Sequence, residues 1–171
     1  MVLFELKNMI GEQHRKMGDY EIGMDYMRSC LELTAEYAGK VTREQKAKLM
    51  RTLGRLLAKL RRDKENMKIN QELLVMDKEM HGEKSQAVAV DYHSIGYAYD
   101  AQEEYELAVE NYNKGLQIKL LLSPDEPTKG IADTYDYLGR SYWKMVQFPQ
   151  AHANFDRALK MYKDQIGRAH V

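Results

Sequence analysis

Lys48, Arg51, Arg55 and Lys59 follow one another at intervals of three, four and four residues, a spacing that sets all four on one face of a helix. Like charges stacked in this way weaken an isolated helix slightly. A basic strip of this kind attracts an acidic peptide, because arginine can grip a carboxylate through two parallel N–H bonds. The plainer alternative is a solvated face, neutralised by Asp91 or Glu12 from neighbouring segments. Elsewhere the sequence offers little chemistry. His14, His81, His93, His152 and His170 are scattered, without the spacing of metal ligands. No Gly-rich phosphate loop is present. Cys30 stands alone, which excludes an internal disulfide framework and reads as a buried thiol at a packing position. The tyrosines and methionines fall at helical spacing, as core residues do. The chain is therefore expected to have no enzymatic activity, no cofactor and no metal.

Bulk properties narrow the partners. Lys+Arg and Asp+Glu are equal at 26 each, whereas nucleic-acid binding usually needs a net basic surface. The longest apolar runs, Leu120 to Leu122 and Ala87 to Val90, are far too short to cross a bilayer. The first residues carry no leader pattern of basic region, apolar run and small-residue cleavage site. A mean hydropathy of −0.64 and a single cysteine fit a soluble, cytoplasmic protein that binds neither nucleic acid nor membrane.

Positioning any such strip falls to a repeat. Ile10-Gly11, Leu53-Gly54, Ile95-Gly96 and Leu138-Gly139 recur at intervals of 43, 42 and 43 residues. Other positions keep step with the glycines: Tyr20, Asp63, Tyr105 and Phe148 nine residues on, and Gly23, Asn66, Ala108 and Ala151 twelve on. Met27, Asn70, Tyr112 and Phe155 fall sixteen on, and Leu31, Leu74, Leu116 and Leu159 twenty on. The second unit is the degenerate one. Apolar residues recur at helical spacing before and around each glycine, as with Leu49, Leu53, Leu56, Leu57 and Leu60. A mid-helix glycine costs about 1 kcal/mol against alanine, so four in register need a reason. Close packing supplies one, if a side chain of the partner helix lies over the bare backbone. Short polar turns such as Gln102-Glu103-Glu104 then lead to a second helix, with Pro149 in its tolerant first turn. Pro124 and Pro127 fall in the linker Ser123 to Gly130, clear of helix interiors.

These positions resemble the tetratricopeptide repeat. The fourth unit carries the pattern through Leu138-Gly139, Tyr142, Phe148, Ala151, Phe155 and Ala158-Leu159. The third carries Ile95-Gly96, Tyr99, Tyr105, Ala108, Tyr112 and Leu116, with Gly115 in place of the usual alanine. The period of 42 or 43 departs from the usual 34 and is similar to the kinesin-light-chain and nephrocystin subclass, as is the joint His81-Gly82-Glu83-Lys84-Ser85-Gln86-Ala87-Val88-Ala89. The resemblance implies an all-α, right-handed α-α superhelix of about four helical hairpins, as one domain over 1–165 with units near 4–40, 47–81, 88–123 and 131–165. It also implies a concave binding face built from the first helix of each unit. That face would carry Asn8, Glu12, Arg15 and Lys16, then Lys48, Arg51, Arg55 and Lys59. The third unit would add His93, Tyr97 and Asp100, and the fourth Asp133, Asp136, Arg140 and Trp143. Trp143, the only tryptophan, could pack an apolar anchor. Some family members hold a terminal carboxylate through a fixed Lys and Asn set. Asn8 alone matches it, so that activity is not carried over.

Three roles follow. The first is a scaffold or adaptor capturing a peptide, with an acidic peptide as the candidate. The second is the sensor region of a larger regulator or enzyme. The third is a self-associating array, because repeats without polar caps can stack end to end. Residues 166–171 admit two readings: the start of a further linker, or a non-native tail, since a common sequencing-library adapter encodes Ile166-Gly167-Arg168-Ala169-His170-Val171 in this frame.

Overall fold

The computed structural model describes residues 2–37, 39–124 and 128–169, with side chains as far as 164. Pro127 and the last two residues of the 166–171 tail lie outside the described residues, as do the tail's other side chains. Among the described residues the chain forms eight helices and no strand: α1 (Val2–Met17), α2 (Tyr20–Glu36), α3 (Arg43–Lys59), α4 (Asp63–His81), α5 (Gln86–Ala101), α6 (Tyr105–Leu122), α7 (Lys129–Lys144) and α8 (Phe148–Ala169). They pair as hairpins at the expected period, and the fold is the all-α helical repeat. The chain divides into two compact units, Met1–Met76 and Asp77–Val171, with the boundary inside α4.

The register of glycines has the cause that the sequence suggested. A Cβ built on Gly11 would meet Met27 Cε at 2.6 Å, and one on Gly54 would meet Asn70 Oδ1 at 3.2 Å. On Gly96 it would meet Tyr112 Cδ1 at 2.7 Å, and on Gly139 Phe155 Cδ1 and Cε1 at 2.6 Å. In every hairpin the covering side chain is the residue sixteen positions on. Each first helix thus gives up a side chain so that its partner can lie against bare backbone.

Within the first unit, α1 packs on α2 and α2 on α3. Phe4, Met24, Met27, Cys30, Leu53 and Leu56 form the centre of its core. Burying each such side chain contributes roughly 1.5–3 kcal/mol. Cys30 is fully buried, its Sγ directed at Phe4 O at 3.6 Å, and burial pushes its thiol above the usual range. The degenerate positions Asn66 and Asn70 are buried as well and satisfy each other, Asn70 Nδ2 donating to Asn66 Oδ1 at 3.1 Å. In the second unit α5 packs on α6, α6 on α7 and α7 on α8, around Ala108, Tyr112, Leu116, Ile131, Leu138 and Ala158.

Three of the first helices, α3, α5 and α7, begin under side-chain control. Thr42 and Gln45 form a reciprocal capping box at α3, Thr42 Oγ1 accepting from Gln45 N at 3.1 Å and Gln45 Oε1 from Thr42 N at 2.8 Å. Ser85 Oγ accepts from Val88 N at α5, and Thr128 Oγ1 from Ile131 N at α7. Such caps contribute about 1 kcal/mol each. They fix where α3, α5 and α7 start, and so which of their residues share a face.

The turn inside each hairpin uses one left-handed residue, always seven positions past the helix glycine. It is Gly18 in the first hairpin, with φ 91°, then Arg61 at 57°, Glu103 at 64° and Val146 at 62°. A β-branched residue is poorly suited to this region, at a cost of about 1–2 kcal/mol. Val146 is 67% exposed and contributes little packing in return. Val146→Gly is expected to raise stability by about 1 kcal/mol, after the added freedom of glycine in the unfolded chain is subtracted. A urea unfolding midpoint that stays put or falls would contradict this account of the turn.

Candidate peptide-binding faces

In the first unit, the face begins on α3. Its N-terminal cap sets the phase in which Leu49, Leu53, Leu56 and Leu57 are buried, leaving Lys48, Arg55 and Lys59 exposed and Arg51 half-buried on the other side. Against this strip stands Glu12 of α1. Its carboxylate accepts from Thr52 Oγ1 at 2.8 Å and from Arg15 Nε at 2.8 Å. Burial alone would raise the Glu12 pKa. The bonds from Thr52 and Arg15, with the charges of Arg15 and Arg55, outweigh burial and hold the carboxyl below its usual value. Glu12 therefore engages the α3 strip at Arg55, one of the two neutralising partners expected for it. Lys48, Arg55 and Lys59 are exposed along the same face, with Glu12 near Arg55. Asn8 lies half-buried on α1, and Lys16 is exposed near its end.

In the second unit the corresponding face is aromatic and acidic. His93 and Tyr97 project from α5 towards Tyr137 of α7. The His93 ring meets Tyr137 edge-on at 4.9 Å and Tyr112 of α6 at 5.1 Å, while Tyr97 meets Tyr137 edge-on at 6.0 Å. Arg140 lies over the Tyr137 ring at 5.7 Å and donates to Asp136 at 2.8 Å. Asp100 accepts from Ser141 Oγ at 2.8 Å, tying α5 to α7, and Asp133 accepts from Tyr162 OH at 2.6 Å. Behind this face Lys119 of α6 is buried, its ammonium donating to Gly130 O at 2.9 Å and Thr134 Oγ1 at 2.7 Å.

Burial dominates the ionisation of these groups. It lowers His93 to about 4, helped by the charge of Lys119 and opposed by Asp133. It lowers Lys119 to about 8, again opposed by Asp133. Tyr112 is raised by burial first and then by Asp100 and the neighbouring phenols, and Tyr137 by burial, Tyr97 and the aspartates. His93 is therefore neutral at pH 7. Tyr112 OH and His93 Nδ1 are buried without a hydrogen-bond partner among the described residues.

Of the residues expected on these faces, the structure brings Glu12 to Arg55 and His93, Tyr97, Asp136 and Arg140 around Tyr137. Trp143 is 51% exposed and sits at the α7–α8 corner, edge-on to Phe148 at 4.9 Å. Tyr137 and Lys119 escaped the sequence reading of the site, and Tyr112 entered it only as a packing residue. Tyr137 sits four residues past Asp133 and three before Arg140, a helical spacing that could have marked it. No group of three or more metal-ligand side chains gathers among the described residues, and no helix there is long and apolar enough to cross a membrane.

One tetratricopeptide-repeat family model matches residues 4–37 and 92–120, and a second matches 131–171. The chain belongs to the tetratricopeptide-repeat family. Its long units give it the form similar to the kinesin-light-chain type. The degenerate second hairpin falls between the matched stretches. No curated protein matches the sequence. Among solved structures, BtubC (BKLC) from P. vanneervenii superposes with a TM-score of 0.86 at 21% identity, over 96% of this chain and 65% of that one. The apo form of RapI gives 0.83 at 17%, over 99% and 59%. A Rap protein complexed with Competence and Sporulation Factor gives 0.73 at 14%, over 92% and 42%. This tetratricopeptide-repeat chain thus spans less than two-thirds of each, and the likeness is one of fold. The fold is that of a protein-interaction scaffold.

Proposed function

We propose that this repeat chain captures a peptide segment, and that acidic residues of the segment meet Lys48, Arg51, Arg55 and Lys59 on the exposed face of α3. The observation that carries the reading is that Lys48, Arg51, Arg55 and Lys59 share the α3 face opposite the buried leucines, with Lys48, Arg55 and Lys59 exposed. A solved fold relative is complexed with Competence and Sporulation Factor, which supports the use of this fold to capture a ligand. It also favours a second reading, in which the same faces serve as the sensor region of a larger regulator.

The test is fluorescence anisotropy with a labelled twelve-residue Asp/Glu-rich peptide. R51E/R55E is expected to weaken binding at least tenfold, because it replaces two attractions with two repulsions, and raised salt should weaken the wild type in the same direction. The helical signal should be unchanged, since both side chains reach solvent. Equal binding by wild type and variant would remove the α3 strip from the account.

A further inference from the structure

We propose that the α5–α7 face of the second unit holds a basic side chain, Arg or Lys, of a peptide, over the rings of Tyr97 and Tyr137 and beside the carboxylates of Asp100 and Asp136. This deepens the peptide-capture reading, on which it rests.

The rings supply the first half of the recognition. Tyr97 is 40% exposed and stands edge-on to Tyr137, so the pair forms a wall open to solvent on one side. A cation above such a ring is attracted by its quadrupole, more strongly once partly desolvated. Charge supplies the second half. Asp100, Asp133 and Asp136 border the rings, and the cations near them are Arg140 and the buried Lys119. Carboxylates therefore outnumber cations on this face, the reverse of the α3 strip.

The chain already places a guanidinium there. Arg140 stacks on Tyr137 while paired with Asp136, the arrangement a ligand arginine would need. Its side chain is 63% exposed. An exposed pair of this kind contributes little, and a bound cation can displace it.

An independent observation points the same way. Tyr112 is fully buried, yet its hydroxyl has no hydrogen-bond partner among the described residues. The Tyr112 ring packs on Tyr137 at 5.5 Å and on His93 at 5.1 Å, so it backs this face from the α6 side. His93 Nδ1 is orphaned beside it. Buried polar groups are nearly always paired, and a guanidinium carries five N–H donors in a planar fork. A phenol oxygen and a neutral imidazole nitrogen are both able to accept.

The probe is N-acetyl-arginine amide, titrated into the whole chain carrying ring-labelled tyrosine and followed by NMR. N-acetyl-glutamine amide and N-acetyl-glutamate amide serve as controls. Saturable shifts of the Tyr97 and Tyr137 rings are expected with the arginine probe alone, at millimolar concentration. Asp100→Asn should weaken that binding at least threefold, and Arg140→Gln should strengthen it by removing the resident guanidinium. An equal response to the glutamine probe would overturn the proposal, as would the absence of any saturable shift. Weaker binding by Arg140→Gln would also overturn it, since Arg140 would then be a partner and not a stand-in. The Asp/Glu-rich peptide assay, run on the same samples, separates this outcome from the α3 reading. A lone amino-acid probe needs no acidic strip, so either test can fail while the other succeeds.

Discussion

Gly139→Ala is expected to destabilise the chain by about 1–3 kcal/mol, although in an open helix the same change would stabilise it by about 1 kcal/mol. The sign is decided by Phe155. The added methyl would stand 2.6 Å from two ring carbons and 3.1 Å from a third. A rigid ring cannot fold away, so either the ring or the α7–α8 spacing must give. Gly54→Ala provides the contrast. There the new methyl meets the amide oxygens of Asn70 and Asn66 at 3.2 and 3.4 Å. Short amide side chains can yield by a few tenths of an ångström, so Gly54→Ala should lie within about 1 kcal/mol of wild type. A double-mutant cycle isolates the mechanism. Phe155→Leu leaves room at the glycine, so Gly139→Ala should cost at least 1 kcal/mol less in that background than alone. Additive unfolding midpoints would mean that ring and glycine do not interact, and the structural basis of the repeat would need another explanation.

That pairing was legible in the sequence because it repeats. Met27, Asn70, Tyr112 and Phe155 keep a constant distance from their glycines, and the eye needs only the register to find them. The capped starts of α3, α5 and α7 were equally open to reading, as Thr42, Ser85 and Thr128 each precede a helical run. The left-handed turns were not. Arg61, Glu103 and Val146 have no turn propensity, and only alignment with Gly18 marks them. The second unit's face was half legible. Helical spacing marks His93, Tyr97, Asp136 and Arg140 as neighbours along their own helices. It does not say that Tyr112 of α6 reaches the same cluster, because Tyr112 already has a sufficient role over Gly96. Lys119 was hidden for a related reason: a lysine in the last turn of a helix is ordinarily solvated and favoured there by the helix dipole. Only the packing of α6 on α7 brings it to Gly130 and Thr134.

The same cluster makes the chain sensitive to acid. In the unfolded chain His93 takes its proton near pH 6.5. In the folded chain burial and Lys119 delay protonation to about 4. The folded state is thus at full advantage above pH 6.5 and loses it as pH falls towards 4, by roughly 3 kcal/mol at the conversion of 1.36 kcal/mol per unit. Around the ring stand Tyr112 and Lys119 of α6 with Tyr137 and Asp133 of α7, and Asp133 alone favours the proton. His93→Phe keeps a ring in the cluster and removes the ionisation. Wild type should therefore lose about 3 kcal/mol more than the variant between pH 7 and pH 4, read from urea midpoints at each pH. Lys119 acts at the alkaline edge with the same sign. Its unfolded ammonium holds a proton to about 10.5 and the folded one only to about 8, so stability should climb with pH between those values. Tyr112, Tyr137 and Tyr162 are raised above 10 in the folded chain. Their ionisation in the unfolded chain erodes stability only from about pH 10 upward, and that of the Cys30 thiol, also raised by burial, from about pH 9, which leaves the climb from pH 8 to 9 to Lys119. Lys119→Met should flatten that climb while leaving the acid limb of His93 in place. A climb that persists in Lys119→Met would assign it to another group, and an acid limb that survives His93→Phe would do the same for His93.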